Sequence, residues 1–344
     1  MKNLNYIVEN FKKSNLFEKI DENKFNSLKN YDIFYSLRFD GFGMRIFSYL
    51  NCLRIAKKLE KEVVILWDTA RSTPATQLHH HEHDDHVIFK DLPIKYFNSD
   101  KQSIDKYSKN ILGITGKILY LENESYEDVI KELSKLAKNL ELNDELNKKI
   151  QNISEYEYGI HVRTGDITAI TGNEGKGNYY WFARFYVGYK KWFPESLVFK
   201  IIKKIGGKKT YIASSSEKFL DKISNLKNIT TKEYNLYEKK NIAAMKLIID
   251  IYTLSKCKQL ICTQRSAVGL LATFLSNENV ISPEDFLDIG EIYDELFSVI
   301  NNQLTESQSP GKLLKKLIYL YLSRFYNDFF QLKVKKYFKK KVKI

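Results

Sequence analysis

The chain has 344 residues, 43% hydrophobic and 28% charged, with only 15 Gly and 5 Pro. That length allows two domains with a sizeable core, and the composition excludes a mostly disordered or collagenous protein. The net charge of +13 invites a nucleic-acid reading, but residues 312–344 hold eleven Lys or Arg and one acid, Asp328, so +10 lies in a tail and only +3 over the other 311 residues; a nearly balanced main body argues against that reading.

The first 25 residues contain no apolar run of signal-peptide length. No stretch approaches the ~20 apolar residues of a membrane span. Cys52, Cys257 and Cys262 are an odd number without a disulfide-framework spacing. The expectation is a cytoplasmic protein in a reducing compartment.

Residues 32–39, DIFYSLRF, read as a strand, and 40–43, DGFG, as a turn. From Met44 to Leu59 apolar residues recur at helical spacing: Met44, Ile46, Phe47, Leu50, Leu53 and Ala56. EVVILWD, 62–68, is a continuous apolar run of the kind a buried parallel strand needs. Together these make a βαβ unit. Residues 126–152 read as helical with charged faces.

A second unit begins near Tyr156. The strand EYGIHV enters the turn HVRTGD. An aromatic-rich segment, 182–204, follows. TYIASSSEKFLDKI, 210–223, reads as strand, Ser-rich turn and helix. NIAAMKLIIDIYTLSKC is a helix, KQLICT a strand, and QRSAVGLLATFLS a turn plus helix. This alternation predicts an α/β fold of two doubly wound domains, 1–154 and 155–305, with a basic tail over 306–344. A ligand is expected in the cleft between the domains, at the C-terminal ends of strands.

Four turns carry candidate chemistry. Gly41, Gly43 and Arg45 stand between a strand and a helix, where backbone can approach an anion at a helix N-terminus. A full dinucleotide fingerprint needs a third small residue, and position 46 is Ile; a tight turn explains the glycines as well. In the turn 161–166, Arg163 offers a planar fork for two phosphate oxygens and stabilisation of charge on a leaving nucleotide. Asp166 is placed to orient Arg163, and His161 to meet a base or phosphate. Ser214 and Ser215 open a Ser-rich turn that reads as a helix N-cap with capacity for phosphate. Asp250 interrupts an apolar helix and needs partners: a purine base edge, or an internal hydrogen bond to the next strand. Thr263, Arg265 and Ser266 follow a strand and suit phosphate or sugar contacts.

In order and spacing, these pieces resemble the fucosyltransferase superfamily that contains the α1,6-fucosyltransferases, the rhizobial nodulation fucosyltransferases and the protein O-fucosyltransferases. GFGMRIFSYLNCLRIAKKLEKEVVILWD is similar to the family's first strand-turn-helix-strand, GIHVRTGD to its H-x-R motif, YIASSSEKF to the strand and polar turn that follow, and IIDIYTLSKCKQLICTQRSAVGLLA to its D-x-x-x-L-S…S motif. The resemblance covers roughly residues 32–280. It implies a GT-B-like fold and an inverting glycosyltransferase with GDP-fucose as donor and no obligatory cofactor or metal. It also implies Arg163 at the diphosphate, His161 and Asp250 at the guanine, and Ser266 in the last turn. Many members carry two adjacent arginines; here the second position is Thr164. Residues 68–98, which would shape the acceptor site, match nothing in the family pattern.

HHHEHDDH, 79–86, holds five of the six histidines. It follows STPATQ in a loop and fits no zinc spacing, so a solvated loop on the acceptor side is expected, with adventitious metal binding, or a catalytic base among Glu82, Asp84 and Asp85, the alternatives. The tail mixes apolar, aromatic and lysine positions as a basic amphipathic helix does on an anionic membrane surface; a helix docked on the protein is the alternative. The membrane reading makes the acceptor a lipid-linked or surface glycan, in bacterial polysaccharide biosynthesis, with the enzyme peripheral on the inner face of the membrane. Three rivals stand beside the fucosyltransferase expectation: the same fold with another nucleotide-sugar, a non-catalytic nucleotide- or glycan-binding module, and a metal hydrolase built on the histidines.

Overall fold

The computed structural model describes residues 2–13, 16–38, 41–68, 88–99, 101–104, 107, 110–112, 117–162, 195–214, 216–231, 242–262, 266–276, 279–281, 285–288 and 291. By compactness the chain forms two units. The first comprises Met1–His161, Lys209–Ala213 and Thr230–Val280; the second comprises Val162–Lys208, Ser214–Ile229 and Ile281–Ile344.

The first unit contains the βαβ motif read from the sequence. Strand β2 (Ile33–Leu37) leads into helix α3 (Phe42–Lys58) and then strand β3 (Glu62–Asp68). β2 and β3 are parallel, with Tyr35 opposite Val64 and Leu37 opposite Leu66. α3 is buried around most of its circumference, including the polar positions Arg45, Ser48, Asn51 and Arg54. One face of the sheet meets α3, where the Ser36 and Ser48 hydroxyls lie 3.0 Å apart. Leu37, Leu66, Phe97 and Tyr107 form a separate apolar cluster.

Strands β4 (Ile94–Phe97) and β5 (Ile111–Leu112) complete a sheet of order β4-β3-β2-β5, parallel throughout. The chain steps outward from β2 to β4, then returns to β5 on the other side of β2. The strand order therefore reverses between β2 and β5, beside the turn that holds Gly41.

The N-terminal helix α1 (Lys2–Lys13), strand β1 (Phe17–Ile20) and helix α2 (Glu22–Leu28) precede this sheet. β1 pairs in parallel with β6 (Ile118–Leu121) in a separate two-stranded sheet. The helical stretch expected over 126–152 is two helices, α4 (Tyr126–Lys138) and α5 (Asp144–Gln151). Each has its own N-cap: Ser125 accepts from Asp128 N–H, and Asn143 from Leu146 N–H. An Asn cap in mid-stretch starts a new helix because its side chain satisfies an N–H the first helix cannot.

Buried Arg54 of α3 locks these elements together. It donates to the Leu119 carbonyl at 2.6 Å and pairs with Glu124 and with Glu132 at 3.0 Å.

The second sheet has the order β11-β10-β7-β8-β9. Its strands are β7 (Tyr158–Val162), β8 (Thr210–Ser214), β9 (Ile229–Thr230), β10 (Gln259–Cys262) and β11 (Asn279–Ile281). β7 and β10 are parallel neighbours, with Ile160 opposite Ile261 and His161 opposite Cys262. β7 and β8 are buried along their length, the pattern of a strand covered on both faces. Helix α8 (Ile242–Lys256) covers β7 so closely that a Cβ on Gly159 would stand 2.7 Å from Cys257 Sγ.

Helix α9 (Ala267–Leu275) follows β10 and is almost wholly buried. It packs on α3 and α4 of the first sheet's half. Phe274 stacks on Phe47 with centroids 6.1 Å apart and meets Phe11 of α1 edge-on at 6.3 Å.

The second unit holds helices α6 (Glu195–Ile205) and α7 (Glu217–Ser224). Leu197, Val198, Ile201, Phe219, Leu220 and Ile223 are buried there. Phe199 meets Phe219 edge-on at 6.2 Å, and Lys222 bonds Glu195 at 2.8 Å. The fold is thus α/β with parallel sheets in doubly wound order. The histidine-rich stretch 79–86 and the tail 306–344 lie outside the described residues.

Candidate active site at the switch point of the second sheet

In the second sheet the chain runs from β7 out to β8 and β9. It then crosses back to place β10 on the other side of β7. Strand order reverses between β7 and β10, and in open α/β sheets this crevice, at the strands' C-terminal ends, is where ligands bind. The two strands end at Val162 and Cys262. In sequence Arg163 follows the first of them and Thr263 to Ser266 the second. Topology therefore sets the C-terminal ends of β7 and β10 side by side, although they are about a hundred residues apart in sequence.

His161 is buried, at 6% exposure, and shares a face of β7 with Gly159, the face that α8 covers. Its neighbour Cys262 is buried as well; burial, with the nearby Cys257, pushes the Cys262 thiol well above its ordinary range, so it is an inert apolar wall. Ser266 is the N-cap of α9 and is 4% exposed, yet its side chain makes no capping hydrogen bond. Arg163, Asp166, Ser215, Thr263 and Arg265 lie outside the described residues.

Asp250 is buried in α8 and both of its oxygens are engaged. Tyr211 of β8 donates to Oδ1 at 2.5 Å, and Lys246, one turn earlier in α8, donates to Oδ2 at 2.9 Å. Burial pushes the carboxyl above its ordinary range, and the two partners offset only part of that rise. Of the two kinds of partner expected for this acid, an internal hydrogen bond is present, but it comes from the earlier strand β8 and not from the next strand, β10. Neither oxygen's capacity is exhausted by one bond.

Ser214 ends β8, and its hydroxyl accepts from Ser216 N–H at 3.2 Å; Ser216 in turn caps α7 by accepting from Phe219 N–H at 3.3 Å. The Ser-rich turn is a capping device, as its composition predicts.

The glycine turn of the first sheet divides in two. Gly41 caps α3 with φ −63° and open space where a Cβ would stand. Gly43 has a Cβ position 3.1 Å from Ala267 Cβ, at the start of α9. The close approach at 43 is thus to a helix. Arg45 is 1% exposed: its guanidinium lies 4.1 Å over the Trp67 ring, and Nη2 is 3.4 Å from the Asp68 carbonyl. Asp68 accepts from Ser99 N–H at 3.1 Å.

Sequence reading missed Tyr211 and Lys246 as the partners of Asp250. The i−4 spacing of Lys246 on a helix was a usable signal; Tyr211 was not, because strand pairing is non-local. Among the described residues no group of three or more His, Cys, Asp or Glu is placed to hold a metal, and no helix is long and apolar enough to cross a membrane.

No family model matches the sequence, and comparison with curated proteins gives no match. Among the solved structures to which the chain is similar are fucosyltransferases. The crystal structure of NodZ α-1,6-fucosyltransferase soaked with GDP-fucose is 15% identical, covering 76% of this chain and 97% of that one, with a TM-score of 0.43. The fucosyltransferase NodZ from Bradyrhizobium is 15% identical over 72% and 94%, with a TM-score of 0.41. POFUT1 in complex with GDP is 11% identical over 73% and 98%, with a TM-score of 0.38. Likeness at these scores fixes no residue's role in this chain.

Proposed function

We propose that the protein is a GT-B-like glycosyltransferase that transfers fucose from GDP-fucose to a glycan acceptor with inversion. One observation carries the reading. β7 and β10 flank the switch point, with His161 opposite Cys262, and they lead directly into the HVRTGD and TQRS turns whose motifs resemble the fucosyltransferase superfamily.

In this reading an acceptor hydroxyl attacks the anomeric carbon of the donor from the side opposite the nucleotide. The new C–O bond forms as the bond from that carbon to the diphosphate breaks, which inverts the centre. GDP leaves carrying the electron pair, and the acceptor hydroxyl's proton passes to bulk water. Arg163, oriented by Asp166, stabilises the departing diphosphate with its fork of donors. The N-terminus of α9, with Ser266 at its N-cap position, adds backbone N–H groups and a positive dipole end. Thr263 and Arg265 belong to the same turn. His161 and Asp250 face the nucleoside. Gly41, Gly43, Arg45, Ser214 and Ser215 are assigned as outer donor contacts or supports of these turns.

The domain assignment that goes with it is an acceptor half over 1–154, a donor half over 155–305 and a membrane-surface tail over 306–344. It places the enzyme in the cytoplasm, peripheral on the membrane, without an obligatory metal. Replacing Lys335, Lys336, Lys339, Lys340 and Lys341 with Gln should release the protein from anionic vesicles; retention would remove the membrane assignment.

The deciding experiment is calorimetric titration with GDP, UDP and ADP in EDTA, on the wild type and on Arg163→Ala, followed by turnover with GDP-fucose. GDP-selective binding that Arg163→Ala weakens supports the reading. Absence of a GDP preference sinks the fucosyltransferase assignment, and loss of binding in EDTA sinks metal independence.

A further inference from the structure

Among the described residues two large apolar side chains are exposed, Phe199 at 39% and Leu226 at 37%. Both belong to the second unit, and both lie along one seam. α6 and α7 run side by side: the Phe199 and Phe219 rings meet edge-on at 6.2 Å, and Lys222 bonds Glu195 at 2.8 Å. Just past the two helices, Asn228 Nδ2 donates to the Gly207 carbonyl. Leu226 N–H still donates to the Ile223 carbonyl at 3.0 Å, so the chain keeps its turn beyond α7. Leu226 therefore continues the stripe of Phe219 and Lys222 at i, i+3 and i+7. The seam runs from Phe199, in the middle of α6, to Leu226, beyond the end of α7.

The surroundings of the seam are basic. Residues 195–231 hold eight lysines, no arginine and three acids, a net charge of +5. Of the chain's +13 the tail holds +10, so the remaining 274 residues sum to −2 and the positive charge outside the tail is gathered here. On α6 the buried positions are Leu197, Val198, Ile201 and Ile205. At about 100° per residue, Phe199 and Lys203 fall opposite them, one turn apart, with Lys200 beside. Lys203 is exposed, as is Lys227, the neighbour of Leu226. Two acids nearby are taken up by lysines: Glu195 by Lys222, and Glu291 by Lys204 at 3.2 Å. Single exposed apolar side chains need no explanation; two on one seam, within charge of one sign, point to a surface that is anionic outside and apolar beneath.

We infer that the α6–α7 seam is a second contact with an anionic membrane surface, in which Phe199 and Leu226 enter the headgroup boundary and the lysines meet acidic headgroups. This rests on the membrane-surface part of the reading above and not on the donor. Lysine suits such a surface, because its ammonium is a hydrated point charge. Recognition of one phosphate, or of nucleic acid, favours the planar arginine fork, which this stretch lacks. Each lysine near an anionic leaflet is worth about fivefold in partitioning, and Phe and Leu are the side chains that interfacial helices bury at the acyl boundary. One such signal gives marginal, reversible attachment, and stable attachment takes two. The tail and the seam are the two, so loss of either releases the protein.

The test is co-sedimentation of the full chain with phosphatidylcholine vesicles, with and without about 30% anionic phosphatidylglycerol. The wild type should pellet with the anionic vesicles only. Lys203→Gln combined with Lys227→Gln should weaken that binding about 5- to 25-fold, with the melting temperature unchanged. Phe199→Gln and Leu226→Gln should each weaken it about tenfold, the worth of one apolar side chain taken from water. Phe199 leans on Phe219, so where Phe199→Gln lowers the melting temperature, Leu226→Gln and the lysine pair carry the test. Wild-type binding by the lysine-pair variant, with the tail-lysine variant released, overturns the inference and leaves the tail as the anchor. Equal binding to neutral and anionic vesicles overturns it as well. A wild type that ignores vesicles but is held by heparin, with that hold lost in the lysine-pair variant, overturns it in favour of a soluble polyanion. A wild type that ignores both vesicles and heparin removes the membrane reading itself together with the inference.

Discussion

The Cβ position of Gly43 lies 3.1 Å from Ala267 Cβ, so the first turn of α3 and the first residue of α9 touch, although one follows a strand of the first sheet and the other a strand of the second. The contact explains one glycine of the G-x-G turn and leaves the other open. At Gly41 a side chain would meet nothing within 4 Å, and φ is −63°.

The two glycines should therefore respond differently. Gly43→Val drives a branched side chain into Ala267 and should lower the unfolding free energy by about 1–3 kcal/mol, the usual cost of overpacking. Gly41→Ala should cost no more than about 1 kcal/mol, the difference between a Gly and an Ala N-cap, with no steric cost added. Urea denaturation of both variants checks this. Equal losses at the two positions would mean that the α3–α9 contact is looser than the structure has it.

Arg54 and Glu124 should behave as a unit. The Arg54 side chain is 1% exposed and Glu124 10%, so Arg54→Leu strands a largely buried carboxylate at a cost of about 3–5 kcal/mol. Burial pushes the Glu124 carboxyl up, but the Arg54 guanidinium, the Leu121 N–H and Lys58 more than offset it and hold it below its ordinary range. A folded pKa below the unfolded one gives stability that is complete above the unfolded value, ~4.3, and is lost as pH falls through the folded value. Glu124→Gln should flatten that acid limb in a pH series of thermal melts. An unaltered limb would show that other carboxylates govern it.

Asp250 should show the opposite sign. Burial dominates and raises its carboxyl, with Lys246 and Tyr211 lowering it only in part. The folded state then holds the proton more tightly than the unfolded chain does. Stability falls as pH rises from the unfolded value, ~3.9, to the folded one, and is level above it. Asp250→Asn should abolish this slope. Tyr211→Phe should steepen it and extend it to higher pH, and should cost about 1–3 kcal/mol for the buried hydrogen bond at neutral pH. A Tyr211→Phe protein with the wild-type slope would mean that the hydroxyl does not support the carboxylate.

Local pattern made β2, α3, β3, β7, β8, α8, β10 and α9 legible, because each is a continuous apolar run or a clear helical stripe between turn residues. β1, β4, β5 and β6 were not, being short; two-residue β5 exists only through its pairing with β2. α1 was legible and went unread: it is twelve residues long, with Ile7, Val8 and Phe11 on one buried face. The site was legible as a set of turns but not as a place. What brings the end of β7 to the end of β10 is strand order, a non-local property that no window of sequence carries. Asp250 shows the same limit: the helix predicts a buried acid, but its partner Tyr211 lies 39 residues away on another element. Arg45 reads as a ligand contact from its place after G-x-G, while its stacking on Trp67 depends on β3 lying beside α3.

Arg163 is the residue on which turnover should depend most. In sequence it follows directly on β7, and the proposed chemistry needs a positive, bidentate donor where the diphosphate departs. Arg163→Ala should lower turnover of GDP-fucose by about 10²–10³-fold, the scale for removing one preorganised donor from a developing charge. The thermal melt should hardly move. Arg163→Lys keeps the charge without the planar fork and should recover only part of the rate. The effect should fall mainly on kcat, because the charge on the leaving diphosphate grows as the glycosidic bond breaks. A variant that loses affinity for GDP but keeps kcat would place Arg163 in ground-state binding alone and would move the stabilising role to Arg265 or to the N-terminus of α9.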